Sequence, residues 1–210
     1  MNSHSTAARF IMSTHSDFEY QSSESTDEIN EVHGPEVSHT QTRTPKLYTY
    51  IMKQDDPKKC TSAKLVRLRF ASPIYRLSRL PRLSLVLNPI AHDVLMFKDR
   101  QQAERFGLVA IDCSWEKARG IFERGLPGMN RRLPLFLAAN PTNYARVSKL
   151  SSLEALAAAL LLVGFKEKAK GLLSLYKWGP TFYTLNQVLF DEYRKATTDE
   201  EIARIESEYF

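Results

Sequence analysis

Apolar residues recur along this chain in two rhythms. Between residues 45 and 140 they fall into short runs at 47–52, 74–77, 83–87, 108–111 and 135–138, most bounded by Pro, Asn, Asp or Gly. Continuous apolar runs of that length suit strands buried on both faces, as in a parallel sheet. The stretches 61–69, 92–106 and 114–125 are compatible with helix, so strand and helix alternate and an α/β domain is expected over 45–140. After Asn140 the rhythm is helical. Ser151-Ser152-Leu153-Glu154 is a capping box, with the Ser151 side chain placed to accept from the backbone N–H of Glu154. The helix it opens, 155–163, is apolar on every side and therefore belongs at the centre of a core. Further helices are expected at 166–177, 181–195 and 199–208, with Trp178-Gly179-Pro180 breaking the first from the second. Residues 141–210 are thus expected to form an all-helical domain. No internal repeat is present.

Residues 1–44 follow neither rhythm. They are rich in Ser, Thr, His and acids, and are expected to be a disordered acidic tail or an extension. Four of the five histidines lie there, at spacings that match no metal site. Composition is otherwise that of a globular protein, 43% hydrophobic and 25% charged. No apolar run approaches the roughly 20 residues of a membrane span, and no signal-peptide core opens the chain. Two cysteines, Cys60 and Cys113, point to a reducing, cytoplasmic setting rather than a disulfide scaffold.

The net charge of +5 conceals an asymmetry. Residues 45–210 carry 27 basic and 17 acidic side chains, because the tail is acidic. Such a body suits a polyanionic partner, nucleic acid first, or simply a soluble basic surface.

Several chemistries lack their motifs. The first strand leads into Lys53-Gln54-Asp55-Asp56-Pro57, with no glycine, and neither a GxGxxG fingerprint nor a P-loop occurs. A Rossmann cofactor site and a nucleotide triphosphatase are therefore not expected. Without a CxxC pair or a His/Cys cluster in the body, neither is a metal site. His92 is the body's lone histidine, and no nucleophile elbow accompanies it.

Four segments remain. They are Lys58-Lys59-Cys60-Thr61-Ser62-Ala63-Lys64-Leu65; Leu87-Asn88-Pro89 with His92-Asp93; Ile111-Asp112-Cys113-Ser114-Trp115; and Arg132-Leu133-Pro134-Leu135 running through Ala138-Ala139-Asn140-Pro141-Thr142-Asn143-Tyr144 into Lys149-Leu150-Ser151-Ser152-Leu153-Glu154-Ala155. Each falls at or just beyond the carboxyl end of an expected strand, the edge at which open α/β sheets bind ligands.

In that order, the KCT, DCSW, RxLPLxxAANPxNY and KLSSxEA segments resemble the small-subunit ribosomal RNA aminocarboxypropyltransferase family of archaea and eukaryotes, over about residues 47–193. The resemblance implies a SPOUT-like α/β fold whose S-adenosylmethionine (SAM) cleft lies in a trefoil knot, an exception to the usual absence of knots. It implies transfer of the 3-amino-3-carboxypropyl group of SAM to N3 of an (N1-methyl)pseudouridine in small-subunit rRNA, with release of methylthioadenosine and no metal. A monomer is expected, since no heptad or exposed apolar stripe argues for a dimer.

The same resemblance assigns residues. Thr61, by hydroxyl and N–H, and the N–H of Ser152 would hold the SAM carboxylate at helix starts, where an anion is favoured; Thr61 also suits a plain N-cap. The Ile111 carbonyl would bind the ribose. Adenine would meet the Leu135 N–H and the Ser148 carbonyl, packed by Leu87, Pro89, Leu150 and Ala155. Many family members carry tyrosine where this chain has Ser148. Trp115 and Ala118, three apart on a helix, would bury the SAM methyl and leave the aminocarboxypropyl carbon open to attack; otherwise Trp115 is a core aromatic. Asp112 would accept the imide proton, or cap the helix beginning at Ser114. Cys113 is a bystander. Lys59, Lys64 and Arg132 would contact RNA phosphates, and Arg76, Arg79 and Arg82 add basic charge at a spacing of three. Two other functions remain compatible: a SPOUT-type methyltransferase that uses SAM conventionally, and a non-catalytic ribosome-assembly factor.

Overall fold

Five parallel strands form one sheet in the order β2-β1-β4-β3-β5. They are β1 (Leu47–Ile51), β2 (Ser72–Ile74), β3 (Leu85–Leu87), β4 (Leu108–Asp112) and β5 (Met129–Arg131). The computed structural model describes residues 43–52, 60–112, 120, 122–123 and 125–210. The expectations for residues 1–42, Lys59, Cys113, Trp115, Ala118 and most of the 114–125 helix lie outside the described residues.

Pairing aligns apolar positions across the sheet. Leu47 lies opposite Leu108, Leu108 opposite Leu85, and Leu85 opposite Met129. Because side chains alternate between faces, Leu47, Leu85 and Leu108 share the main core, while Val86 and Val109 join Ile74, Leu80, Phe122 and Leu126 in a second cluster. Burial on both faces explains the unbroken apolar runs of β3 and β4.

Helix α1 (Thr61–Arg67) connects β1 to β2, and α2 (Arg100–Phe106) precedes β4. Gly107 makes the turn from α2 into β4 at φ 86°, where a Cβ would stand 2.4 Å from the Lys46 carbonyl oxygen. Then come α3 (Ser152–Leu162), α4 (Lys166–Leu173), α5 (Gly179–Leu185), α6 (Gln187–Tyr193) and α7 (Asp199–Tyr209). The apolar helix α3 is central: its residues from Leu156 to Leu162 are all buried, packed among sheet, α1 and α4. Each fully buried leucine there contributes roughly 1.5–3 kcal/mol.

Several expected elements differ. The helix expected over 166–177 ends at Leu173, and Gly179-Pro180 open α5 instead of breaking the chain, because proline is tolerated in the first turn of a helix. The run 135–138 is not a strand of the sheet; its one bridge is antiparallel, Leu137 to Val147. Its backbone groups are taken elsewhere. Asn186 accepts from the Leu137 N–H at 2.8 Å and donates to the Leu137 carbonyl at 2.9 Å, while the Tyr193 hydroxyl donates to the Leu135 carbonyl at 3.0 Å. Satisfied groups have no need of a ladder. The fifth strand is instead Met129-Asn130-Arg131, a polar edge that no apolar run marks. Helix 92–106 begins only at Arg100, because Arg132 draws 92–96 into extended chain: Arg132 N–H donates to the Asp93 carbonyl, and Leu95 N–H to the Arg132 carbonyl. Asn186 also splits 181–195 into α5 and α6, its buried amide bonding the Phe182 carbonyl at 2.9 Å.

Candidate active site

At the carboxyl ends of β3 and β4 the Asn-Pro turn and the capping box meet. The Asn88 N–H donates to the Arg131 carbonyl, its amide donates to Asn130 at 3.0 Å, and its Oδ1 accepts from the Ile90 N–H at 3.1 Å. An Asx-type turn of this kind fixes the chain where it leaves a strand, and it sets Leu87 and Pro89 against the segment 132–135. Across from them, Ser151 caps α3 and accepts from Glu154 N–H, while Glu154 returns a bond to Ser151 N–H.

Glu154 does far more than complete the box. Its carboxylate is fully buried. Oε1 accepts from the N–H groups of Ala139 (2.7 Å) and Asn140 (2.9 Å); Oε2 accepts from Asn140 Nδ2 (2.8 Å), Ser151 N–H (2.7 Å) and Ser151 Oγ (2.7 Å). One side chain thereby ties the Ala139-Asn140-Pro141 turn to the start of α3.

Between these walls lies a cavity of about 430 Å³, lined by Leu87, Asn88, Pro89, Ile90, Ala110, Ile111, Phe122, Arg132, Leu133, Pro134, Leu135, Ser148, Leu150, Ser151, Ser152 and Ala155. This is the size range of small-molecule sites. It gathers Leu87, Pro89, Ile111, Leu135, Ser148, Leu150, Ser152 and Ala155 from segments far apart in sequence, all expected to hold SAM. Ser148 sits in the left-handed region at φ 56°. Its N–H donates to the Phe136 carbonyl at 2.8 Å, which holds a conformation a non-glycine residue rarely adopts. Leu135 lines the cavity, but its N–H donates to Glu206 Oε1 at 3.0 Å, so the group expected to read adenine is already taken.

Asp112 stands at the end of β4 against the lining residue Ser152. Its Oδ1 accepts from Ser152 Oγ at 3.4 Å, and its Oδ2 from the Cys60 thiol at 3.0 Å. The carboxylate therefore bridges the starts of α1 and α3. Thr61 is the first residue of α1, and the cap is Cys60, whose sulfur accepts from the Ala63 N–H at 3.3 Å. Thr61 is half-buried and is not part of the cavity lining. Sequence reasoning missed Cys60, which it took for one letter of a motif; only the 52-residue jump to Asp112 reveals its use.

Burial, and then the bond to Asp112, pushes the Cys60 thiol up to about 11. Since the folded value exceeds the unfolded one, the associated stabilisation is complete below the unfolded thiol value and is lost as pH rises toward 11. In a Cys113→Ser background, alkylation of Cys60 by iodoacetamide at pH 8.5 is expected to run at least about tenfold slower than that of the urea-unfolded chain, because the thiolate is the nucleophile. Equal rates in the two states would contradict the assignment.

The expected RNA contacts are separated. Lys64 folds inward, its Nζ donating to the Leu175 carbonyl and lying 3.7 Å from the centre of the Tyr176 ring. Arg132 pairs with Glu206 at 2.8 Å. Arg76, Arg79 and Arg82 are exposed on the connection from β2 to β3. No helix among the described residues is long and apolar enough to cross a membrane.

Residues 85–210 match the family described as ribosome biogenesis protein, C-terminal. The chain is 44% identical over 151 residues to the 16S rRNA aminocarboxypropyltransferase of Vulcanisaeta distributa, an alignment that spans 71% of this chain and 82% of that protein. It is 40% identical over 176 residues to the protein of the same name from Methanosarcina mazei, 82% of this chain and 99% of that one. Among solved structures it is similar to the SAM-dependent rRNA:acp-transferase Tsr3 from Vulcanisaeta distributa, with TM-score 0.71 and 37% identity, covering 79% of this chain and 97% of that chain.

Proposed function

Because the chain belongs to the 16S rRNA aminocarboxypropyltransferase family, we propose that its cavity holds SAM for transfer of the aminocarboxypropyl group to N3 of an (N1-methyl)pseudouridine in small-subunit rRNA. The observation that carries this is the cavity itself: residues expected to hold SAM line one cleft, and Asp112 is bonded to Ser152 at its edge. The fit is chemical as well. Leu87, Leu133, Leu135, Leu150 and Ala155 offer an apolar bed for a nucleoside, and main-chain groups around them supply the polar contacts.

Along the wall 132–135 we take Leu133 N–H as the adenine donor in place of the Leu135 N–H that the resemblance implies. Arg132 N–H is spent on the Asp93 carbonyl, Pro134 has none, and Leu135 N–H is spent on Glu206, which leaves Leu133 N–H. The Ser148 carbonyl takes the amino group of the base and the Ile111 carbonyl the ribose. The starts of α1 and α3, at Thr61 and Ser152, receive the SAM carboxylate. The resemblance gives Trp115 and Ala118 the burial of the methyl.

SAM supplies a sulfonium with three carbon substituents. Nitrogen attack at the aminocarboxypropyl carbon forms the C–N bond as that carbon's bond to sulfur breaks, and sulfur keeps the electron pair in methylthioadenosine. Asp112 accepts the imide proton. Its two oxygens keep lone pairs for this while Cys60 and Ser152 hold the carboxylate in place. Arg76, Arg79 and Arg82 present exposed charge for RNA phosphate, and the resemblance adds Lys59 to them; Lys64 and Arg132 would join only by leaving their internal partners. The SPOUT-like knot, with helices 141–210 completing the cleft, and a cytoplasmic site of action belong to the same proposal.

The test is incubation with SAM and small-subunit rRNA, followed by mass identification of both products. Methylthioadenosine and a base gaining the aminocarboxypropyl mass are expected. S-adenosylhomocysteine would make the chain a methyltransferase, and no SAM binding would leave an assembly factor.

A further inference from the structure

Helix α7 carries its acids in two places. Asp199, Glu200 and Glu201 lie in the first turn, capped by Thr198, where the helix field favours negative charge. Glu206 lies near the other end, where that field disfavours it and where no basic residue occupies the last turn. It sits one turn beyond the fully buried Ile202 and therefore on the inward face of α7. Its side chain is 14% exposed and that of its partner Arg132 is 24% exposed, so the ion pair is largely withdrawn from water. Oε1 accepts from Arg132 Nη1 at 2.8 Å and from Leu135 N–H at 3.0 Å, and Oε2 from Arg132 Nη2 at 3.4 Å.

Both partners line the cavity. The Leu135 carbonyl is held from the same side by Tyr193 of α6. The wall pairs with backbone at Arg132, opposite Val94, and again at Leu137, opposite Val147; between and beside these bridges 135 and 137 have no strand of the sheet as neighbour, and side chains from the C-terminal helices bond their backbone groups. Resting on the assignment of this cavity to SAM, we propose that Glu206 is a positioning residue of the co-substrate site. It fixes the wall 132–135 by bridging the Arg132 guanidinium and the Leu135 N–H, so that the last helix of the chain sets SAM affinity. Arg132 on this account serves the cleft wall rather than RNA phosphate. Glu206 acts through Arg132 and Leu135, the partners it bonds.

The test measures SAM affinity by calorimetry and single-turnover transfer at saturating SAM, for the full chain and for Glu206→Ala, Glu206→Gln, Arg132→Gln and the double variant. Glu206→Ala is expected to weaken SAM binding by about 10- to 100-fold, the scale on which a partner that orients a binding group matters, with most of the loss recovered when SAM saturates. Glu206→Gln keeps an acceptor for Leu135 N–H and is expected to restore most of the affinity. The Arg132 and Glu206 effects should be strongly non-additive, since each removes the same bridge. Urea midpoints separate folding from binding; if the alanine variant does not fold, the glutamine variant and the Arg132→Gln cycle still decide. A folded Glu206→Ala protein that binds SAM as the parent does would overturn the proposal. So would unchanged SAM binding with tighter RNA binding, which would return Arg132 to RNA. If the parent chain itself binds no SAM, the assignment of the cavity fails instead.

Discussion

Replacing Asp112 by asparagine is expected to slow transfer by about 10²- to 10⁴-fold, the usual worth of a positioned general base, with SAM affinity close to that of the parent. The structure says why the two effects should part. Asparagine keeps the size of the side chain and one acceptor oxygen, so the Cys60 thiol retains a partner. Its amide can donate to Ser152 Oγ where the carboxylate accepted. The junction between α1 and α3 is preserved, but the side chain can no longer take up the imide proton. Single-turnover rates with the modified nucleoside identified, beside SAM titrations, check this. Transfer at the parent rate would remove Asp112 from the chemistry and leave it as the link that joins two helix starts, with catalysis resting on position alone.

The second large effect belongs to a residue with no part in the chemistry. Glu154→Gln is nearly isosteric, yet it is expected to cost about 3–5 kcal/mol of stability, the range for breaking a buried charged network from one side. Both carboxylate oxygens face donors only: Ala139 and Asn140 N–H on one, Asn140 Nδ2 with Ser151 N–H and Oγ on the other. Either orientation of a glutamine amide therefore puts NH₂ against N–H groups that are buried and have no water to turn to. The Ser151 hydroxyl can rotate and the Asn140 amide can shift, whereas the main-chain groups cannot. Since a domain is stable by only about 5–15 kcal/mol, the variant should unfold at markedly lower urea, and its SAM cleft should fail with it, because the Asn140 turn and Ser152 hang on the same carboxylate. A urea curve within about 1 kcal/mol of the parent would show that the network repacks at little cost.

These two residues mark how far the sequence could be read. The place of Asp112 was legible, because a carboxylate that ends an apolar run stands at the carboxyl edge of a strand. Glu154 was legible only in part. The spacing to Ser151 announced a helix start, but nothing local announced that the same side chain would reach back to Ala139 and Asn140. Cys60 was read as a motif letter, and its bond to Asp112 spans 52 positions that no periodicity connects.

The sequence by itself determined what depends on near neighbours. The apolar runs of β1, β3 and β4, the capping box of α3 and the apolar surround of that helix all follow from local sterics, hydrogen bonding and burial. Eight of the cavity-lining residues were named for SAM beforehand, but only through the family that the ordered motifs resemble. Tertiary structure decided where the run at 135–138 went. Its composition suits a strand, but strand or wall depends on which partners meet its backbone. Asn186, Tyr193 and Glu206, from 49 to 71 positions away, supply them. It likewise made a strand of Met129-Asn130-Arg131, whose one apolar and two polar side chains carry no pattern, because β3 offers its open edge there. Backbone hydrogen bonding carries no side-chain signature, so which edge is paired, and by what, is settled only once the chain has closed on itself.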